Sequence, residues 1–144
     1  LYDTMWESTA AMANAIAEGI EAAGVPVRVM HLKQHHHSMV MSELAKCGLV
    51  IVGSPTHNNG VLPKVAGMMT YMKGLKPKNR IGGAFGSYGW AGEASAQLQV
   101  QMSAMGFETP VEPLKLQYVP KAETLEKCVE MGMALAEALK KKVK

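Results

Sequence analysis

Leu49-Val50-Ile51-Val52-Gly53-Ser54-Pro55-Thr56-His57-Asn58-Asn59-Gly60 says most about how this chain folds. Its first five residues are apolar without interruption apart from the closing glycine, as in a strand buried on both faces of a parallel sheet. The character then changes at once to hydroxyls, an imidazole, amides, Pro and Gly, the composition of a turn. Ile81-Gly82-Gly83-Ala84-Phe85-Gly86 reads as a second buried strand, its glycines predicting close approach of neighbouring backbone. It too runs into a polar turn, Ser87-Tyr88-Gly89-Trp90-Ala91-Gly92.

Helices surround these strands. Met12, Ile16 and Ile20, flanked by Ala13, Ala17 and Ala23, predict a helix from about Ser8 to Ala23, ended by Gly24. Val27 to His31 alternates in character and reads as a strand. A short helix follows Ser38, carrying Val40, Met41 and Leu44. Pro63 opens a helix presenting Val65, Met68, Met72 and Leu75. Ala91, Ala94, Leu98, Met102 and Met105 form another helix face, stopped by Gly106. Thr109 to Tyr118 alternates, but Pro110 and Pro113 demote it to an edge strand. Leu125, Val129, Gly132, Ala136 and Leu139 mark the last helix. With Leu1-Tyr2-Asp3 as the end of a first strand, strand and helix alternate throughout. That predicts an α/β fold: a doubly wound, five-stranded parallel sheet of order 2-1-3-4-5 with helices on both faces. The two edge-like strands fall second and fifth, where this order places its edges. Residues 1–144 read as a single domain, and the opening on Leu1 suggests that the start of the first strand is missing.

The 144 residues are 48% hydrophobic and 19% charged, an ordinary globular balance. The net charge of +3 owes much to Lys140, Lys141, Lys142 and Lys144, read as complementing a helix dipole rather than as a nucleic-acid surface. No apolar run is long enough to span a bilayer, and no secretory signal is visible. Cys47 and Cys128 lie far apart, outside any metal or redox spacing, and read as small core residues in a reducing, cytoplasmic setting. His35, His36 and His37 are consecutive, cannot all converge on one metal, and read as a solvated loop.

In a doubly wound sheet ligands bind beyond the carboxyl ends of the strands. Three segments fall there. Thr4-Met5-Trp6-Glu7-Ser8-Thr9 offers hydroxyls and the free N–H groups of a helix start, a phosphate cradle with no Lys or Arg of its own. A plain Ser/Thr N-cap is the competing reading. Neither a P-loop nor a Gly-x-Gly-x-x-Gly fingerprint is present. Ser54 to Gly60 offers groups able to read the polar edge of a heterocycle, although a turn needs many of them anyway. Ser87 to Gly92 holds two of the chain's eight aromatics, and a Trp on a glycine-flanked loop suits stacking on a flat ring or a protein interface.

Taken together, Tyr2-Asp3-Thr4-Met5-Trp6 with Ser8-Thr9 and Met12-Ala13, Pro55-Thr56 with Asn58-Asn59, and Ala84 to Trp90 resemble the three FMN loops of the flavodoxin-like domain of A-type flavoproteins, or flavodiiron proteins. The resemblance covers nearly the whole chain and implies the short-chain form. It implies that Thr4, Met5, Trp6, Ser8 and Thr9 surround the FMN phosphate. It places Pro55, Thr56, Asn58 and Asn59 on the ribityl chain and ring edge, with His57 and Gly60 in the same loop. It sets Ser87, Tyr88, Gly89, Trp90 and Gly92 around the isoalloxazine, with Trp90 on its face. His57 departs from the family pattern, which has an apolar residue there, and is expected to make the flavin potential pH-dependent.

The resemblance further implies an electron-transfer module that receives electrons from rubredoxin or a reductase. It would pass them to a diiron domain, expected upstream, that reduces dioxygen or nitric oxide, in a head-to-tail dimer. No diiron ligand motif is present, so the chain is expected to carry neither catalytic nor metal residues and not to complete that reduction by itself. Two other readings stay open: a free-standing flavodoxin, and an NAD(P)H:quinone oxidoreductase of the same fold class.

Overall fold

The computed structural model describes residues 1–4, 7–56, 60–75, 77, 79–88, 92–117 and 121–142. The elements run α1 (Ser8–Ala22), α2 (His37–Leu44), β1 (Leu49–Gly53), α3 (Pro63–Leu75), β2 (Ile81–Tyr88), α4 (Glu93–Ala104), β3 (Leu114–Gln117) and α5 (Ala122–Lys142). The strands form a parallel sheet of order β1-β2-β3. Leu49 pairs with Ile81 and Phe85 with Leu114, so β2 is central.

Strand alternation divides the interior into two cores, one on each side of the sheet. Val50, Val52 and Ala84 face Val40, Met68, Met72, Leu98 and Met102 of α2, α3 and α4. Ile81, Phe85 and Leu116 face Met12, Ile16, Met131 and Leu135 of α1 and α5. The apolar spacings in the helices therefore do what a 3.6-residue period requires, putting one face against the sheet. Helices α1 and α5 lie unusually close. A Cβ on Gly19 would fall 2.0 Å from the Val129 carbonyl oxygen, and one on Gly132 would fall 2.1 Å from that of Ile16. The lysines ending α5 sit in its last turn, and Lys142 Nζ lies 2.6 Å from Glu108 Oε1.

Several expectations need correction. No strand forms over 27–31 among the described residues. Tyr2 instead makes isolated parallel bridges to His31 on one side and Gly53 on the other. Around these bridges Tyr2 N–H donates to Met30 O (3.1 Å) and Leu32 N–H to Tyr2 O (2.9 Å). The last strand contracts to Leu114–Gln117, because both prolines upstream lack a ladder donor; a single bridge, Ile81 to Glu108, precedes it. Conversely β2 extends through Ser87 and Tyr88, which pair with Leu116 and Gln117. Leu75 is 55% exposed, and Met69 takes the buried place on α3. Cys47 is exposed rather than core, whereas Cys128 is buried and burial pushes its thiol up to about 11. The histidine run is not simply a loop: His36 caps α2, accepting from Ser38 N–H, and His37 packs edge-on against Tyr71 at 4.4 Å.

A cavity of about 490 Å³ separates residues 25–30 from β1 and is floored by Ala13, Ile16 and Ile20 of α1. Leu49 and Ile51 are only half-buried because they border it. Leu1 N lies at this edge, 2.7 Å from Ile51 O.

Candidate functional site

The candidate site lies at the carboxyl ends of β1 and β2, beside the amino end of α1. Helix α1 begins without the expected hydroxyl cap. Its N-cap is Glu7, with φ 66° and ψ −4°, and no side chain caps the helix. This removes the plain N-cap reading of Ser8 and Thr9. Thr9, fully buried, instead reaches across the sheet: its Oγ1 lies 3.0 Å from Ser87 Oγ at the end of β2. The first and third predicted segments are thereby joined.

The second segment is tied to the third by backbone. Thr56 N–H donates to Ser87 O (2.9 Å), and Thr56 Oγ1 accepts from Ala94 N–H at the start of α4 (3.1 Å). Ser54 closes the base of its own loop. Its hydroxyl donates to Pro55 O (2.8 Å) and accepts from Leu62 N–H (2.9 Å). Gly86 makes the junction possible, since a Cβ there would fall 2.2 Å from Ser54 O. Tyr88 and Gly92 border the third segment, with Lys115 Nζ 5.7 Å above the Tyr88 ring. A Cβ on Gly92 would press on both Lys115 Cδ (2.9 Å) and Tyr88 Cδ1 (3.0 Å).

Thus Thr4, Ser8, Thr9, Pro55, Thr56, Ser87, Tyr88 and Gly92 come to one end of the sheet, with Gly60 half-buried in the second segment. Met5, Trp6, His57, Asn58, Asn59, Gly89 and Trp90 lie outside the described residues, and so does the proposed pH role of His57.

Thr4 provides the test of whether an anion fits. It is 3% exposed, and its Oγ1 has no hydrogen-bond partner among the described residues. An unpaired buried hydroxyl costs about 1–3 kcal/mol. Placed beside a helix start whose first N–H groups no side chain caps, it is a donor awaiting an oxyanion. A phosphate supplies the acceptor that Thr4 lacks.

Residues not singled out in the sequence support this corner. Asp3, 3% exposed, accepts from Thr4 N–H (2.8 Å) and from His31 Nε2 (3.0 Å). Lys33 Nζ lies 3.5 Å from Thr4 O and 4.0 Å from Asp3 Oδ1. The cradle has no cation in its own loop, yet one reaches it from the next segment. Tyr2 stacks on His31 at 4.8 Å, and its phenol is pushed up by burial, with Glu7 and Asp3 adding to the effect. The sequence signal for this cluster was weak: a lone acid before the first segment and a histidine 28 residues later.

Fold and site define an α/β domain in which a parallel sheet packs between helices. Residues 1–132 match the Flavodoxin family. The chain is 49% identical over 142 residues to the rubredoxin-oxygen oxidoreductase of Megalodesulfovibrio gigas, covering 99% of this chain and 35% of that protein. It is 41% identical over 136 residues to a nitric oxide reductase of Moorella thermoacetica, covering 94% of this chain and 34% of the other. Among solved structures, rubredoxin oxygen:oxidoreductase from the anaerobe Desulfovibrio gigas superposes with a TM-score of 0.96 at 49% identity, over 99% of this chain and 35% of that one. The chain belongs to the flavodoxin family, and its type is the flavodoxin-like domain of A-type flavoproteins, the flavodiiron proteins. It spans about a third of the length of the relatives it matches. No helix among the described residues is long and apolar enough to cross a membrane.

Proposed function

We propose that this domain is the electron-transfer module of a flavodiiron dioxygen or nitric oxide reductase, taking electrons from rubredoxin or a reductase and relaying them to a diiron site on another domain. The observation that carries the reading is that three polar segments meet at one end of the sheet, joined by the Thr9–Ser87 and Thr56–Ser87 contacts, with a buried Thr4 hydroxyl that has no partner among the described residues. Bound FMN supplies the ability to exchange one or two electrons, so it can join a two-electron donor to one-electron metals.

The chain's part is to bind and orient. Thr4, Met5, Trp6, Ser8 and Thr9 hold the phosphate. Pro55, Thr56, His57, Asn58, Asn59 and Gly60 take the ribityl chain and ring edge. Ser87, Tyr88, Gly89, Trp90 and Gly92 frame the ring. The Thr9–Ser87 and Thr56–Ser87 bonds keep the three segments in register.

The five-stranded order 2-1-3-4-5 belongs to the same reading, supported by the Tyr2 bridges to His31 and Gly53 on the outer side of β1. So do a cytoplasmic setting, pairing of two copies through the full-length protein, and a domain that does not complete the reduction by itself.

The visible spectrum of the purified chain tests the proposal. A flavin spectrum, with FMN released on denaturation, is expected. A colourless chain that takes up no added FMN would overturn it. Reduction of the bound flavin by NADPH alone would favour an oxidoreductase complete in itself.

A further inference from the structure

Thr4 is held at both of its backbone groups by side chains. Asp3 Oδ1 takes its N–H at 2.8 Å, and Lys33 Nζ approaches its carbonyl at 3.5 Å. The hydroxyl is the polar group left over. The clamp is itself anchored. Asp3 N–H donates to Gly53 O at 3.3 Å, and the Tyr2 bridge and ring stack fix His31.

This places a buried carboxylate next to Thr4, the residue read above as a phosphate ligand, an arrangement that would repel a phosphate unless the charge is balanced. Two groups can balance it. His31 Nε2 shares Asp3 Oδ1 at 3.0 Å with its side chain 17% exposed, and Lys33 Nζ stands 4.0 Å away with its side chain 55% exposed. The other titratable groups around His31 are Tyr2, stacked on its ring, Glu7, which acts on Tyr2, and His35, whose Nδ1 lies 3.1 Å from His31 O.

We propose that Asp3, His31 and Lys33 are positioning residues of the phosphate subsite, holding the Thr4 backbone in place for the FMN phosphate. Asp3 sets the Thr4 backbone, while His31 and Lys33 make that carboxylate compatible with an incoming dianion. The proposal rests on the FMN reading above. It concerns the phosphate end alone, so riboflavin, which lacks the phosphate, is the matching probe.

The experiment measures dissociation constants for FMN and for riboflavin with flavin-free chain at one fixed pH, by flavin fluorescence quenching. The parent, His31→Gln and Lys33→Gln are compared. The quantity read is the riboflavin-to-FMN ratio of constants in each variant relative to the parent. Both variants are expected to lose several-fold of the FMN preference and to leave riboflavin unchanged. Lys33→Gln changes an exposed side chain, with little consequence for folding. Ratios in both variants that match the parent would overturn the proposal. So would equal losses for FMN and riboflavin, since these signify a structural role only. A parent that binds neither flavin would instead overturn the FMN reading, and this proposal with it.

Discussion

At the scale of single residues, the site depends on hydroxyls that serve each other rather than water. Thr9 and Ser87 are 0% and 7% exposed, and their oxygens lie 3.0 Å apart. Thr9→Val keeps the shape and strands the Ser87 hydroxyl. It is expected to cost about 1–2 kcal/mol in urea unfolding, because a buried polar group loses its partner. Thr9→Val combined with Ser87→Ala should cost less than the two single changes summed, since neither hydroxyl is then left alone. A strictly additive double mutant would show that the two do not interact. Thr9 was legible in the sequence as a candidate, but as a cap or a phosphate ligand. Its bond to Ser87, 78 residues away, was not, because local pattern says nothing about which hydroxyl lies opposite.

At the scale of elements, the α1–α5 contact is the tightest helix pair and depends on absent side chains. Each of Gly19 and Gly132 faces a carbonyl of the other helix at about half the separation that a Cβ needs. Gly132→Ala is therefore expected to destabilise by about 1–3 kcal/mol through overpacking, although alanine is the better helix former by about 1 kcal/mol. Gly67 in α3 provides the control: a Cβ there meets nothing within 4 Å. Gly67→Ala should raise stability by about 0.5–1 kcal/mol. Thermal or urea unfolding of both variants checks this, and the same sign for both would refute the packing argument. The helices themselves were readable from their apolar spacing, and α1, α3, α4 and α5 emerge within a few residues of expectation. Leu75 was misplaced because a periodic position at the end of a helix can point past the sheet rather than onto it.

At the scale of the whole molecule, the side of the sheet beyond β1 is held by single bridges, Tyr2 to Gly53 and Tyr2 to His31, around a cavity of about 490 Å³. No local pattern indicates this, because each bridge joins residues far apart in the sequence.

The sequence by itself determined the α/β class, the alternation of strand and helix from β1 onward, the two buried strands and the polar segments at their carboxyl ends. Each of these follows from a short-range pattern: uninterrupted apolar runs, a 3.6-residue period, or turn residues at a strand end. Tertiary structure decided which polar groups meet. It joined Thr9 to Ser87, set Asp3 between Thr4 and His31, and brought Lys33 to a cradle whose own loop has no cation. It also left residues 27–31 without a ladder, joined to Tyr2 by a single bridge at His31. The physical reason is the same in each case. Periodicity encodes which face of an element is buried, whereas hydrogen bonds and charge balance depend on partners tens of residues away that only the folded chain brings within 4 Å.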